Sequence, residues 1–209
     1  MIRQQVLGRG LAVALIAAAS ACGGESATSP GGGTGPPVEL RKGGWSDKKG
    51  QKDTYTTTFV VHPNKDTKLT INGGHMVFIS AGAICELATS GYGPGTWETP
   101  CEPQKQSVTV TAYSWTDAND HPRVQFSPDM RFTPDDAKPA WLVMYDKTAA
   151  KDSTFKIMYC PTLEDVCIDE SLADPEVVTR ADKKNQFLYR RVKHFSGYNV
   201  TTGTTAEAY

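Results

Sequence analysis

The chain has 209 residues, 39% of them hydrophobic, and its 22 Lys and Arg are balanced by 23 Asp and Glu. That length and apolar content suffice for one or at most two compact domains and exclude a wholly disordered chain. A net charge of −1 and a pI near 6.4 exclude the basic footprint of a nucleic-acid binder, in which clustered Lys and Arg displace counterions from phosphates.

At the N-terminus Arg3 and Arg9 frame a positive start, and the apolar run Leu11–Ala21 ends in Ala19-Ser20-Ala21-Cys22. The run is shorter than the roughly 20 residues that a spanning helix requires, so residues 1–21 read as a processing segment. They resemble the bacterial lipoprotein signal, in which cleavage leaves an acylated cysteine as the new N-terminus. The resemblance implies a lipid on Cys22 and attachment to the membrane through it. Gly23, rather than Asp, follows that cysteine, which in such lipoproteins implies the outer membrane of a cell envelope. Ala19 stands where the signal commonly has Leu. Residues 22–37, rich in Gly, Ser, Thr and Pro, contain no large apolar side chain and predict a flexible tether.

From Val38 to Val200 the dominant hydrophobic period is two. Tyr55, Thr57, Phe59 and Val61 alternate with their neighbours, as do Val108, Val110 and Ala112, and then Phe155, Ile157 and Tyr159. Further β-rich runs are Leu69–Ile71, Met76–Ile79, Arg123–Phe126, Trp141–Tyr145 and one long run, Phe187–Phe195. Asn72-Gly73-Gly74, Gly91–Gly95, Asn119-Asp120 and Pro134-Asp135-Asp136 punctuate them. The expected architecture is all-β, a single β-sandwich over residues 38–200. Thr162–Asp165 predicts only a short capped turn, and residues 201–209 a polar, frayed tail.

With Cys22 set aside for lipid, Cys85, Cys101, Cys160 and Cys167 remain. In an oxidising compartment an even set predicts two disulfides, and of three connectivities the sequence-local one, Cys85 with Cys101 and Cys160 with Cys167, is expected. A structural zinc site wants cysteines two to four residues apart, which neither spacing offers.

The run His75–Ile79 followed by Ala81-Gly82-Ala83-Ile84 resembles the opening strand and turn of the ZU-5 domain of ankyrins, netrin receptors and zonula occludens proteins. Val124–Pro128, Phe132, Pro134 and Trp141–Tyr145 are similar to its central segment. His194-Phe195-Ser196 lies near the end, where ZU-5-like domains of death-domain and inflammasome scaffolds carry the same tripeptide. Some of those members cleave their own backbone between Phe and Ser, so the resemblance implies that bond as a site of self-cleavage. Strand alternation would place His194 and Ser196 on one face, where an imidazole could take the hydroxyl proton. Gly197 would permit the kinked strand end that such chemistry uses, whereas the competing expectation makes Phe195 a core residue, His194 half-exposed and Ser196 the start of a turn with Gly197.

Tyr92 and Trp97, inside the Cys85–Cys101 clasp, carry a further pair of readings: exposed aromatics that stack on sugars or a protein partner, or a Trp that plugs the end of the sandwich. Asp117, Asn119, Asp120 and His121 lack the spacing of a calcium loop and read as a solvated turn. The acids Glu164, Asp165, Asp169, Glu170, Asp174 and Glu176 read as a hydrated face. No His-Glu-x-x-His, Gly-x-Ser-x-Gly, phosphate-loop or dinucleotide pattern occurs, so neither cofactor nor turnover of an external substrate is expected. The expected function is presentation of an interaction domain on a membrane-anchored lipoprotein. Its rivals are self-cleavage at Phe195–Ser196 and carbohydrate binding.

Overall fold

The computed structural model describes residues 55–71, 74–117, 119–161 and 167–202. The processing segment, Cys22, the tether, the stretch 38–54, the Thr162–Asp165 turn and residues 203–209 lie outside them.

Ten strands run in chain order: β1 (Tyr55–Val61), β2 (Thr67–Ile71), β3 (His75–Ile79), β4 (Val108–Thr116), β5 (Pro122–Arg131), β6 (Ala140–Tyr145), β7 (Lys156–Cys160), β8 (Arg180–Asp182), β9 (Phe187–Val192) and β10 (His194–Thr201). They form two five-stranded antiparallel sheets, β1-β4-β5-β10-β7 and β2-β3-β6-β9-β8, so the all-β sandwich is realised. The period-two residues do what alternation requires. Phe59 and Val61 of β1 face Val110 and Val108 of β4 in register, and both valines of β4 are buried. From the second sheet Val77, Ile79, Leu142, Met144, Leu188 and Val192 complete the same core. Alternate residues of β3, β6 and β9, among them Phe78, Trp141 and Phe187, form a second apolar cluster.

Both expected disulfides are present: Cys85–Cys101, with its Cα atoms 5.6 Å apart, and Cys160–Cys167, at 4.2 Å. The acidic turn at Asp117 is built as a turn, its carboxylate accepting from the backbone N–H groups of Asn119 and His121.

The expected single strand Phe187–Phe195 is instead two strands in different sheets. Only Lys193 separates β9 in the second sheet from β10 in the first. The run reads as continuous because apolar side chains occur throughout it, yet they serve both sheets: Leu188 and Val192 enter the core from one side, Phe195, Tyr198 and Val200 from the other. The spacing of three between Phe195 and Tyr198 marks a break in alternation. At that point the pairing of β10 with β5 jumps from Phe195↔Met130 to Gly197↔Gln125, which leaves Ser196 at a bulge.

Candidate functional site around the Phe195–Ser196 bond

The site is built where the chain crosses between sheets. His194 is completely buried, not half-exposed, and Ser196 lies within β10 rather than at a turn. The physical reason is the crossover itself, which draws the start of β10 beneath the Cys85–Cys101 loop and against Glu170. Phe195 is the core residue that the packing alternative expects: it stacks on Phe126 at 4.0 Å and meets Phe132 edge-on. Gly197 serves close approach rather than a left-handed backbone. A Cβ there would fall well inside van der Waals distance of the Cys160 carbonyl oxygen and 2.6 Å from Gln125 Oε1.

The acids after Cys167 are only in part a hydrated face: Glu176 is exposed, whereas Asp169 and Glu170 turn inward. The Asp169 carboxylate caps the 3₁₀ turn Glu170–Leu172 by accepting from Ser171 N–H, and it pairs with Lys156. Glu170 then reaches inward, with Oε1 2.8 Å from His194 Nε2 and Oε2 2.6 Å from Arg190 Nη2. Asp174 and Glu176 neutralise Lys193 and Arg191. Four bases on Arg190–His194 are thus matched by acids from a stretch that precedes them by some twenty residues. Sequence reasoning missed Glu170 as a site residue. The detectable signal was the density of bases in a strand too apolar to leave them in water.

Arg190 is 1% exposed and fully engaged. It donates to the carbonyls of Ile157 and Arg191 as well as to Glu170, and it lies over the Tyr198 ring. Burial alone would raise the Glu170 carboxyl. The Arg190 guanidinium and His194 overcome that and hold it down to about 2. Burial pushes the phenols of Tyr92 and Tyr198 up, so both remain protonated donors at neutral pH.

Those two phenols define the proton inventory. The Tyr198 hydroxyl donates to the His194 carbonyl at 2.7 Å, and the Tyr92 hydroxyl donates to the Phe195 carbonyl at 3.0 Å. His194 Nε2 faces the Glu170 carboxylate, an arrangement that in a neutral ring puts the lone pair on Nδ1. His194 Nδ1 also hydrogen-bonds with the Tyr198 hydroxyl at 3.4 Å and the Tyr92 hydroxyl at 3.5 Å, both longer than those hydroxyls' bonds to the carbonyls. Ser196 is 3% exposed, and its hydroxyl lies beside the Tyr92 hydroxyl without a well-formed hydrogen bond. The alternation argument for pairing His194 with Ser196 therefore fails, because the bulge interrupts it and no bond joins the two side chains. What remains is a His194 Nδ1 in long contact with two tyrosine hydroxyls and a Ser196 hydroxyl without a well-formed hydrogen bond, on either side of Phe195.

Trp97 and Tyr92 belong to this site. Trp97 is buried and stacks on the His194 ring with centroids 4.2 Å apart, so its face is occupied and does not form an open sugar platform. Tyr92 keeps part of its ring in solvent, turns its hydroxyl inward and meets Trp97 edge-on. Their loop is fastened by the Cys85–Cys101 bond, by Arg131 Nη1 donating to the Thr96 and Thr99 carbonyls, and by the Lys193–Glu98 pair. Beside it opens a cavity of about 190 Å³ whose lining includes Trp97, Ile168, Glu170, Val177 and Lys193. Among the described residues no cluster of His, Cys, Asp and Glu could hold a metal ion.

No family model, curated protein or solved structure matches the chain.

Proposed function

We propose that the chain is a lipid-anchored, ZU-5-like domain of the bacterial cell envelope that cuts its own backbone between Phe195 and Ser196 and retains both pieces as one sandwich. The observation that carries this reading is geometric: a buried Ser196 hydroxyl that makes no well-formed hydrogen bond and a His194 Nδ1 with long contacts to the Tyr198 and Tyr92 hydroxyls, at 3.4 and 3.5 Å, flank the same residue. A buried polar group left unpaired costs about 1–3 kcal/mol, a cost that the reaction would relieve at Ser196.

In the proposed reaction Ser196 Oγ attacks the Phe195 carbonyl carbon as its proton passes to His194 Nδ1. Glu170 holds the imidazole in the tautomer that can accept it and stabilises the imidazolium. The proton moves to the Ser196 nitrogen as the peptide C–N bond breaks, leaving Phe195 esterified to Ser196 Oγ. One water hydrolyses the ester; its hydroxyl joins the Phe195 carboxyl and its remaining proton returns to Ser196 Oγ. The cavity beside Glu170 gives water a route to this end of the site. After the cut, Gly197–Thr201 keep their pairing with β7, and Gly197–Asn199 theirs with β5.

The anchor on Cys22, the tether over residues 22–37 and the outer-membrane destination rest on the lipoprotein-like N-terminus. The ZU-5 likeness rests on the order of its motifs along a two-sheet β chain. The presented domain acts on no external substrate in this reading, and whichever partner it meets sees the same surface before and after cleavage.

Hydroxylamine tests the intermediate, because it attacks an ester far faster than an amide. The detergent-extracted full chain should be split at Phe195–Ser196, with hydroxylamine accelerating the appearance of fragments from any uncut fraction. Ser196→Ala and His194→Ala should remain whole under the same treatment. A wild-type chain that stays whole, or a Ser196→Ala chain that splits at the same bond, refutes the reading.

A further inference from the structure

Tyr92 reaches the carbonyl group that this chemistry would attack. Its hydroxyl donates to the Phe195 oxygen at 3.0 Å, from a residue 103 positions away. A donor aimed at a carbonyl oxygen gains most when that oxygen becomes an oxyanion, which is the usual role of such a contact in acyl transfer. The Ser196 side chain is a polar neighbour of the same hydroxyl, so nucleophile, carbonyl and donor meet at one point.

Tyr92 belongs to neither sheet. It stands in the loop between Cys85 and Cys101, whose inward face is built by Trp97 on His194 and by the carbonyls of Thr96 and Thr99 on Arg131. Arg131 is the register partner of His194 across β5 and β10, so the loop is tied to both strands at the level of the reacting bond. Backbone bonds from Glu86 N–H to the Glu102 carbonyl and from Gln104 N–H to the Ile84 carbonyl pair the loop's ends, and the disulfide closes the 15 residues between its cysteines.

Resting on self-cleavage at Phe195–Ser196, we propose that Tyr92 is the oxyanion donor of that reaction and that the Cys85–Cys101 bond, by seating its loop, makes the cut wait for oxidation. The precursor would then stay whole while reduced and would be cut after export to an oxidising compartment.

The test starts from the full chain made and kept reduced, then exposed to oxidised glutathione, with cleavage followed by denaturing mass spectrometry. Wild type should be whole at the start and cut after oxidation. Tyr92→Phe, which deletes one oxygen and leaves the ring and the disulfide, should be cut on the order of 100-fold more slowly or worse. Cys85→Ala/Cys101→Ala should stay whole in oxidant, with its cooperative melt recorded to establish that it folds. Wild type cut equally fast with and without oxidation, or Tyr92→Phe cut at the wild-type rate, overturns this proposal while leaving self-cleavage intact. Should the double cysteine variant fail to fold, Tyr92→Phe decides alone. Oxidised wild type that is never cut refutes the self-cleavage reading itself.

Discussion

Glu170 Oε1 lies 2.8 Å from His194 Nε2, joining a residue of a 3₁₀ turn to the buried first residue of β10. The same carboxylate holds the buried guanidinium of Arg190 through its other oxygen. One acid therefore orients an imidazole and neutralises a cation, and its loss should be felt twice.

Glu170→Gln should lower the stability of the domain by about 3–5 kcal/mol, because it leaves Arg190 buried without a counter-charge. It should also stop cleavage. A glutamine amide can donate to His194 Nε2 and so move the ring proton to Nδ1, removing the base. Denaturant unfolding measures the first effect and denaturing mass spectrometry the second. The same pairing has a pH signature. Glu170 is held at about 2 against an ordinary 4.5, so its contribution is present above pH 4.5 and is lost as pH falls through about 2.

His75 supplies a separate acid sensitivity. Burial lowers its pKa from 6.5 to about 3, and its Nδ1 accepts the Tyr145 backbone N–H at 3.0 Å. The folded form resists protonation and the unfolded form does not. Stability is therefore greatest above pH 6.5 and declines as pH falls towards 3, by up to about 1.4 kcal/mol per pH unit. His75→Asn keeps an acceptor for Tyr145 without titrating. Urea midpoints measured from pH 7.5 to 5 should fall for wild type and stay nearly level for the variant.

Gly197→Ala should destabilise the domain by about 1–3 kcal/mol, since the new methyl group meets the Cys160 carbonyl across the β10–β7 pair and the Gln125 side chain. A urea midpoint lowered with an unchanged slope would show it. A variant as stable as wild type would mean that β7 can move away from β10.

Much of the fold was legible because alternation survives wherever one strand stays in one sheet. β1 and β4 show it, their odd and even positions respectively turned to the core. It failed at Phe187–Phe195, where hydrophobicity continues across a change of sheet, and at Ser196, where a bulge shifts the phase. The tripeptide at the site could be read from its residues, as could both disulfides from their local spacing. Glu170 could not, because its partners His194 and Arg190 are brought to it by sheet order. Trp97 and Tyr92 were legible as a special loop but not as a wall of this pocket, since nothing local specifies that their rings turn onto His194.

The most direct test of the account is the mass of the oxidised, mature wild-type chain under denaturing conditions. The account predicts two species, one ending at Phe195 and a 14-residue peptide beginning Ser196-Gly197-Tyr198. A single species with the mass of the uncut chain after prolonged incubation would contradict it, and would make His194, Ser196 and Glu170 parts of a buried structural network.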